Sequence, residues 1–239
     1  MNEDWMNQAY PQQQTVHTPS VSLGAYTART FGWMFAGLMT TFGIALAGYV
    51  TGLIFYVTYI PYWYYVLLIA EVATVMFMSA KVNTISVGTA RAMFFLYAAL
   101  NGVVFSMYFL LFQLTSMVFV FALTGLFFGI MALMGRFMNL DFSRFRPFMI
   151  GGLIFLVAFW ILSMFINLSQ FEMIACTIGI FLFLGYTAYD THKIKECYAY
   201  YSQDEAMLAK ASIFSALELY LDFINLFVYL LRVLGRKKN

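Results

Sequence analysis

The chain has 239 residues, 63% hydrophobic and only 10% charged, with a mean hydropathy of +0.80 and a formal net charge of +2. A soluble domain is usually about 45–50% apolar and about 25% charged, so much of this apolar surface must face lipid, and a sizeable soluble domain is excluded. The weak net charge, with no basic run beyond Arg236-Lys237-Lys238, excludes a nucleic-acid-binding stripe.

In chain order, residues 1–22 are polar and rich in Gln and Asn, with Pro11 and Pro19. They lack a basic stretch leading into a short apolar core, so they read as a flexible tail and not as a cleavable signal peptide. Residues 23–239 read as one transmembrane helical domain. About 20 mainly apolar residues are needed to cross the hydrocarbon core. Six segments qualify: Thr30–Tyr56, Tyr62–Ala80, Ala92–Phe112, Ser116–Met134, Phe148–Asn167 and Met173–Tyr189. A seventh, Ala211–Leu231, is apolar but carries Glu218 and Asp222. The aromatic run Pro61-Tyr-Trp-Tyr-Tyr65, with Tyr56 and Tyr59, reads as an interfacial belt, and Gly125-Leu-Phe-Phe-Gly129 has the spacing of a helix-packing motif. Cys176 falls inside an apolar segment and Cys197 in a polar loop, which argues against a disulfide or a CxxC redox or metal site. No cofactor is implied.

Lys and Arg near the span ends predict orientation. Arg29 precedes the first span, Lys81 and Arg91 follow the second, Arg136, Arg144 and Arg146 follow the fourth, and Lys193, Lys195 and Lys210 follow the sixth. Those nine charges fall on one side, and the loops after spans one, three and five contain none. The N-terminus is therefore expected in the cytoplasm. Arg232, Arg236, Lys237 and Lys238 break the pattern if the seventh segment crosses. Its length of about 21 residues and its helical spacing favour crossing over re-entry.

Four carboxylates sit inside these spans: Glu71, Asp190, Glu218 and Asp222. An ionisable group at the centre of a membrane helix costs roughly 2.5–3.5 kcal/mol on insertion scales, which makes each a functional suspect. No Lys or Arg stands at comparable depth to pair with them. Asp190 ends the sixth span, and Ser215, Glu218, Asp222 and Asn225 form a polar stripe on one face of the seventh. Such a stripe must face protein or water, which argues for a central position. Tyr189 and Tyr220 are candidates to supply hydroxyls. Two nearby carboxylates in a low dielectric do not ionise independently; a shared proton joins them, and its loss leaves two charges that repel or recruit a cation. His192 reads as part of a wet loop, and Arg29, Lys81 and Arg91 as topology charges.

The runs Gly185-Tyr-Thr-Ala-Tyr-Asp-Thr-His-Lys-Ile194 and Ala216-Leu-Glu-Leu-Tyr-Leu-Asp-Phe-Ile-Asn-Leu-Phe227 closely resemble the Bax inhibitor-1 (transmembrane Bax inhibitor motif) family. Arg29-Thr-Phe-Gly-Trp-Met-Phe-Ala-Gly-Leu38 resembles that family's entry into its first span, and Glu71 matches an acidic position in its second. The resemblance covers the chain from about Arg29 onward, and the short tail and loops resemble a bacterial member in the inner membrane. It implies an all-α fold of seven transmembrane helices with the seventh at the centre. It also implies a pH-sensitive calcium leak gated by an aspartate pair, here Asp190 and Asp222, which would be transient calcium contacts. Glu218, Asn225 and Glu71 are candidates for the ion pathway. The family's basic latch near the end of helix two has one candidate here, Lys81, within Ser79-Ala-Lys-Val-Asn83, and it lacks the forked guanidinium of an arginine.

Three functions follow. The first is a proton-regulated calcium leak, whose partners are the bilayer, calcium and protons. The second is a regulatory protein that binds membrane proteases or other membrane partners without transport. The third, an intramembrane aspartyl protease, fits less well. The residues before Asp222 are Leu219-Tyr-Leu and not the Gly-x-Gly such an active site uses, so the chain is read as a non-enzyme.

Overall fold

The computed structural model describes residues 21–137 and 145–238. Residues 1–20 of the expected tail, and Arg144, lie outside them. Within them the fold is helical throughout: α1 (Leu23–Val50), a short α2 (Leu53–Thr58), α3 (Trp63–Ala80), α4 (Val87–Leu111), α5 (Leu114–Phe137), α6 (Arg146–Ser163), α7 (Glu172–Tyr201) and α8 (Glu205–Leu234). Seven of these described helices, all but α2, are long and apolar enough to cross a membrane.

The sequence-derived boundaries shift in two places. The first apolar segment does not run unbroken to Tyr56: the chain turns at Gly52, whose φ of +73° is open to glycine, and restarts as α2. The larger correction concerns spans six and seven. The polar stretch after Tyr189, expected as a loop, is a continuation of α7 for three further turns. His192-Lys-Ile-Lys-Glu196 lowers hydropathy but contains good helix formers, so it ends the apolar run without ending the helix. Cys197 and His192 are therefore helical, not in a loop. The true connection is residues 202–204, closed by Asp204, whose side chain accepts from Met207 N at 2.9 Å.

α8 is the most buried helix. In its most apolar stretch 72% of residues are buried, against 11–44% in the other six spans. It packs against α1, α4, α5 and α7. Its contacts to α1 include polar ones that apolar packing must enclose: Thr41 Oγ1 lies 2.6 Å from the Tyr220 hydroxyl and donates to Ala98 O on α4, and Thr30 Oγ1 lies 3.1 Å from Ser212 Oγ. The Tyr220 hydroxyl is thus spent on α1 and does not face Asp190. By contrast, α3 packs chiefly on α4, and α6 chiefly on α7.

Thirty residues of unbroken helix span about 45 Å, more than the hydrocarbon core of about 30 Å. α8 begins where Lys210 donates to Asn83 O in the α3–α4 connection and ends beside the opposite connections. There Gln113 N donates to Arg236 O and Lys238 N to Leu111 O, both at 2.9 Å, and Phe112 bridges Lys237 in an antiparallel pair. Lys238 Nζ donates to Phe109 O and the Tyr49 hydroxyl, and Arg232 pairs with Glu172 at 2.9 Å. The seventh span therefore crosses, and the four C-terminal cations lie at the end of the bundle away from Lys81.

Candidate functional site

α7 and α8 run side by side, and their polar residues meet where their inward faces coincide. Asp190 is 7% exposed and Asp222 3%. They stand on helices packed against each other and line the same space. Two ionised carboxylates have only acceptors to offer, and Asp222 Oδ2 finds no donor among the described residues, so a proton between the two groups is what would bond them.

The pair borders a cavity of about 750 Å³. Its floor is formed by Tyr186, Tyr189, Asp190 and Lys193 of α7 and by Glu218, Asp222 and Asn225 of α8, while α6 and the α3 residues Leu68 and Val72 form walls that are apolar except for Arg146 of α6. Several wall residues, among them Ile150, Val157 and Ile161, are about half exposed, so the cavity opens sideways between α3 and α6 at mid-span. Glu218 and Asn225 thus face the same space as the aspartates. Asn225 Nδ2 donates to Leu221 O, leaving its amide oxygen as the group an incoming donor or cation would meet.

Glu71 does not line this cavity. Its carboxylate lies towards Tyr97 and Tyr220, with Oε1 buried and unbonded among the described residues. Lys81 caps the C-terminal end of α3, is exposed, and lines neither this cavity nor a smaller one beside it. The residue that sequence reasoning missed is Lys193. It projects from α7 one turn beyond Asp190 and pairs with Glu218 at 2.5 Å, each side chain about one-third exposed. The expectation that no basic group reaches the depth of the acids is thereby corrected. The signal was present as Asp190-x-x-Lys193, a helical i,i+3 relation hidden by assigning residue 193 to a loop.

Among the described residues no three Asp, Glu, His or Cys side chains converge as a metal site. Calcium takes six to eight oxygens in a tight site. The Asp190–Asp222 pair with the Asn225 amide offers fewer, which suits brief contact with a passing ion more than retention.

A helical bundle that spans the membrane seven times and carries acidic groups at its core defines a polytopic membrane protein with a polar interior site. Residues 23–239 match the family model described as "Inhibitor of apoptosis-promoting Bax1". The chain is similar to the Escherichia coli (strain K12) protein "Inner membrane protein YbhL", 32% identical over 231 residues, which cover 96% of this chain and 99% of that one. An uncharacterized protein of Deinococcus radiodurans is 34% identical over 94% of each chain, and the Streptococcus pyogenes "Uncharacterized membrane protein SpyM3_0260" is 32% identical over 74% of this chain and 76% of its own. The chain belongs to the Bax inhibitor family of membrane proteins.

Proposed function

We propose that this protein is a pH-sensitive cation leak, with calcium as the ion, gated by Asp190 and Asp222 and lying in a bacterial inner membrane with its N-terminus in the cytoplasm. The observation that carries the reading is that two buried aspartates on adjacent helices line one cavity that reaches the interior of the bundle. The one cation beside them that makes a described ion pair, Lys193, is engaged by Glu218. A shared proton holds α7 and α8 together there. Removing it leaves two like charges in a low dielectric, which separate or admit a cation. The site serves as a transient stop, because tight calcium binding would need more oxygens than it has and would slow exit. Proteolysis is disfavoured because Leu219 and Tyr220, which precede Asp222, are fully buried and leave no backbone for a substrate strand.

The test is calcium uptake into proteoliposomes over a pH series. The closed, proton-sharing state is the acid form, so flux rises as pH rises and falls as the pair is protonated. Asp190→Asn or Asp222→Asn flattens that profile, because an amide neither loses a proton nor gains a charge. A profile that is unchanged in both variants, or flux that is greatest at acid pH, refutes the assignment.

A further inference from the structure

We propose that the Lys193–Glu218 ion pair is a closed gate across the ion pathway, with the Lys193 ammonium standing in for the permeant cation. This deepens the leak reading and rests on it.

Two cavities meet at this pair. The larger, of about 750 Å³, contains Asp190, Asp222 and Asn225. The smaller, of about 200 Å³, is lined by Ser79 and Val82 at the end of α3, Cys197 and Tyr201 on α7, and Met207 and Ser215 on α8. It therefore lies toward the Lys81 end of the bundle, where the α3–α4 and α7–α8 connections are found. Two residues line both cavities, Lys193 and Glu218, and they are the ones joined at 2.5 Å. The pair is the partition.

Its position along the helices agrees. Lys193 is three residues after Asp190 on α7, and Glu218 four residues before Asp222 on α8. On both helices the ion pair is one turn, about 5.4 Å, closer to the Lys81 end than the aspartates. A cation moving from the smaller cavity to the aspartates must pass it, while the larger cavity is also bordered by Arg146 at the start of α6. Three carboxylates then stand in succession, Glu218 followed by Asp222 and Asp190, and the first is neutralised by a lysine tethered on a four-carbon stem. Side-chain exposures of 33% and 36% leave the pair open to the cavities on either side, so parting it does not strand two bare charges in a packed core. An entering cation competes with the ammonium for Glu218. Lys193 can swing toward the smaller cavity without any helix moving.

The experiment uses the full chain, reconstituted, with the buried Cys176 replaced by Ala. Native Cys197 reports access to the smaller cavity, and an Asn225→Cys substitution reports access to the larger. A membrane-impermeant, positively charged thiol reagent is added at the Lys81 end. Cys197 is modified readily in every variant. The Asn225→Cys site is protected when Lys193 is intact, and its modification speeds up about fivefold in Lys193→Met, the upper effect of a partly exposed ion pair. Lys193→Arg keeps the protection, and the reversed pair Lys193→Glu with Glu218→Lys restores it, which a mere packing role for Lys193 does not predict. Calcium flux rises in Lys193→Met in parallel. Equal modification of the Asn225→Cys site with and without Lys193, or failure of the reversed pair to protect, overturns the gate. If access changes as described while no variant passes calcium, the gate stands and the calcium reading fails.

Discussion

Gly135 on α5 sits against α7 where Asp190 is held. A Cβ there would fall inside the Ala188 carbonyl, which is backbone and cannot rotate away. Gly135→Ala therefore forces the two helices apart next to the site and costs about 2 kcal/mol, within the usual range for overpacking. A thermal unfolding assay reads this as a drop of several degrees in Tm. Gly125→Ala is the control: a Cβ at 125 meets open space, so the helix gains alanine's better propensity and Tm does not fall. The Gly125–Gly129 spacing looks like a packing motif, yet both glycines face away from any neighbour, whereas Gly135, in no motif, makes the tightest backbone approach to α7. Residue type and spacing alone do not carry that information, because it depends on which face α5 turns inward. The acids were legible for a different reason: charge in an apolar span stands out whatever the geometry. Lys193 was not, because a lysine at the edge of a span looks like every other topology charge until its helix is known to continue.

At the scale of elements, hydropathy located the crossing segments well and their ends poorly. It measures apolarity, and a helix that leaves the bilayer while still hydrogen-bonded changes composition without changing backbone. α7 does this over its last three turns. There Tyr198 donates to Val21 O at 2.8 Å, and Lys195 donates to Arg136 O, which ties the extension to the ends of α1 and α5. The extension is a test of the fold in itself. Glu196→Pro is harmless in a loop but breaks the helical ladder here. It costs about 3 kcal/mol or more, with lower yield and Tm, and loosens the neighbouring Lys193. Glu196→Ala at the same exposed position leaves stability almost unchanged.

For the whole molecule, the seven-helix architecture followed from composition, span count and family resemblance, while the crossing of the last helix needed the structure. The two ends of α8 contact opposite sets of connections, so a C-terminal reporter and an N-terminal one lie on opposite sides of the membrane. With the N-terminus in the cytoplasm, alkaline phosphatase fused after Asn239 is active and a fluorescent protein fused there is dark. The reverse result inverts the orientation inferred from charge. Two of the four cations that depart from the charge rule are held by local partners: Glu172 and the Trp160 ring for Arg232, and the Phe109 carbonyl and Tyr49 ring for Lys238. Short-range pairing of this kind offsets the local cost of placing them there, a term that counting charges per loop leaves out.

The uneven packing of the bundle has a practical consequence for how the protein is handled. α3 and α6 are each held mainly by one neighbour, with apolar side chains such as Ile69, Met76, Phe148 and Ile154 turned outward. The remainder of their support is the bilayer itself, and the opening between them faces acyl chains. In a detergent micelle that support is replaced by a softer and more mobile one. The spacing of α3 and α6, and with it the width of the acidic cavity, is then set by the amphiphile chosen for purification. Ion-flux and accessibility measurements on this protein accordingly belong in lipid of defined chain length, and a difference between two detergents reports on those two helices before it reports on Asp190 or Asp222.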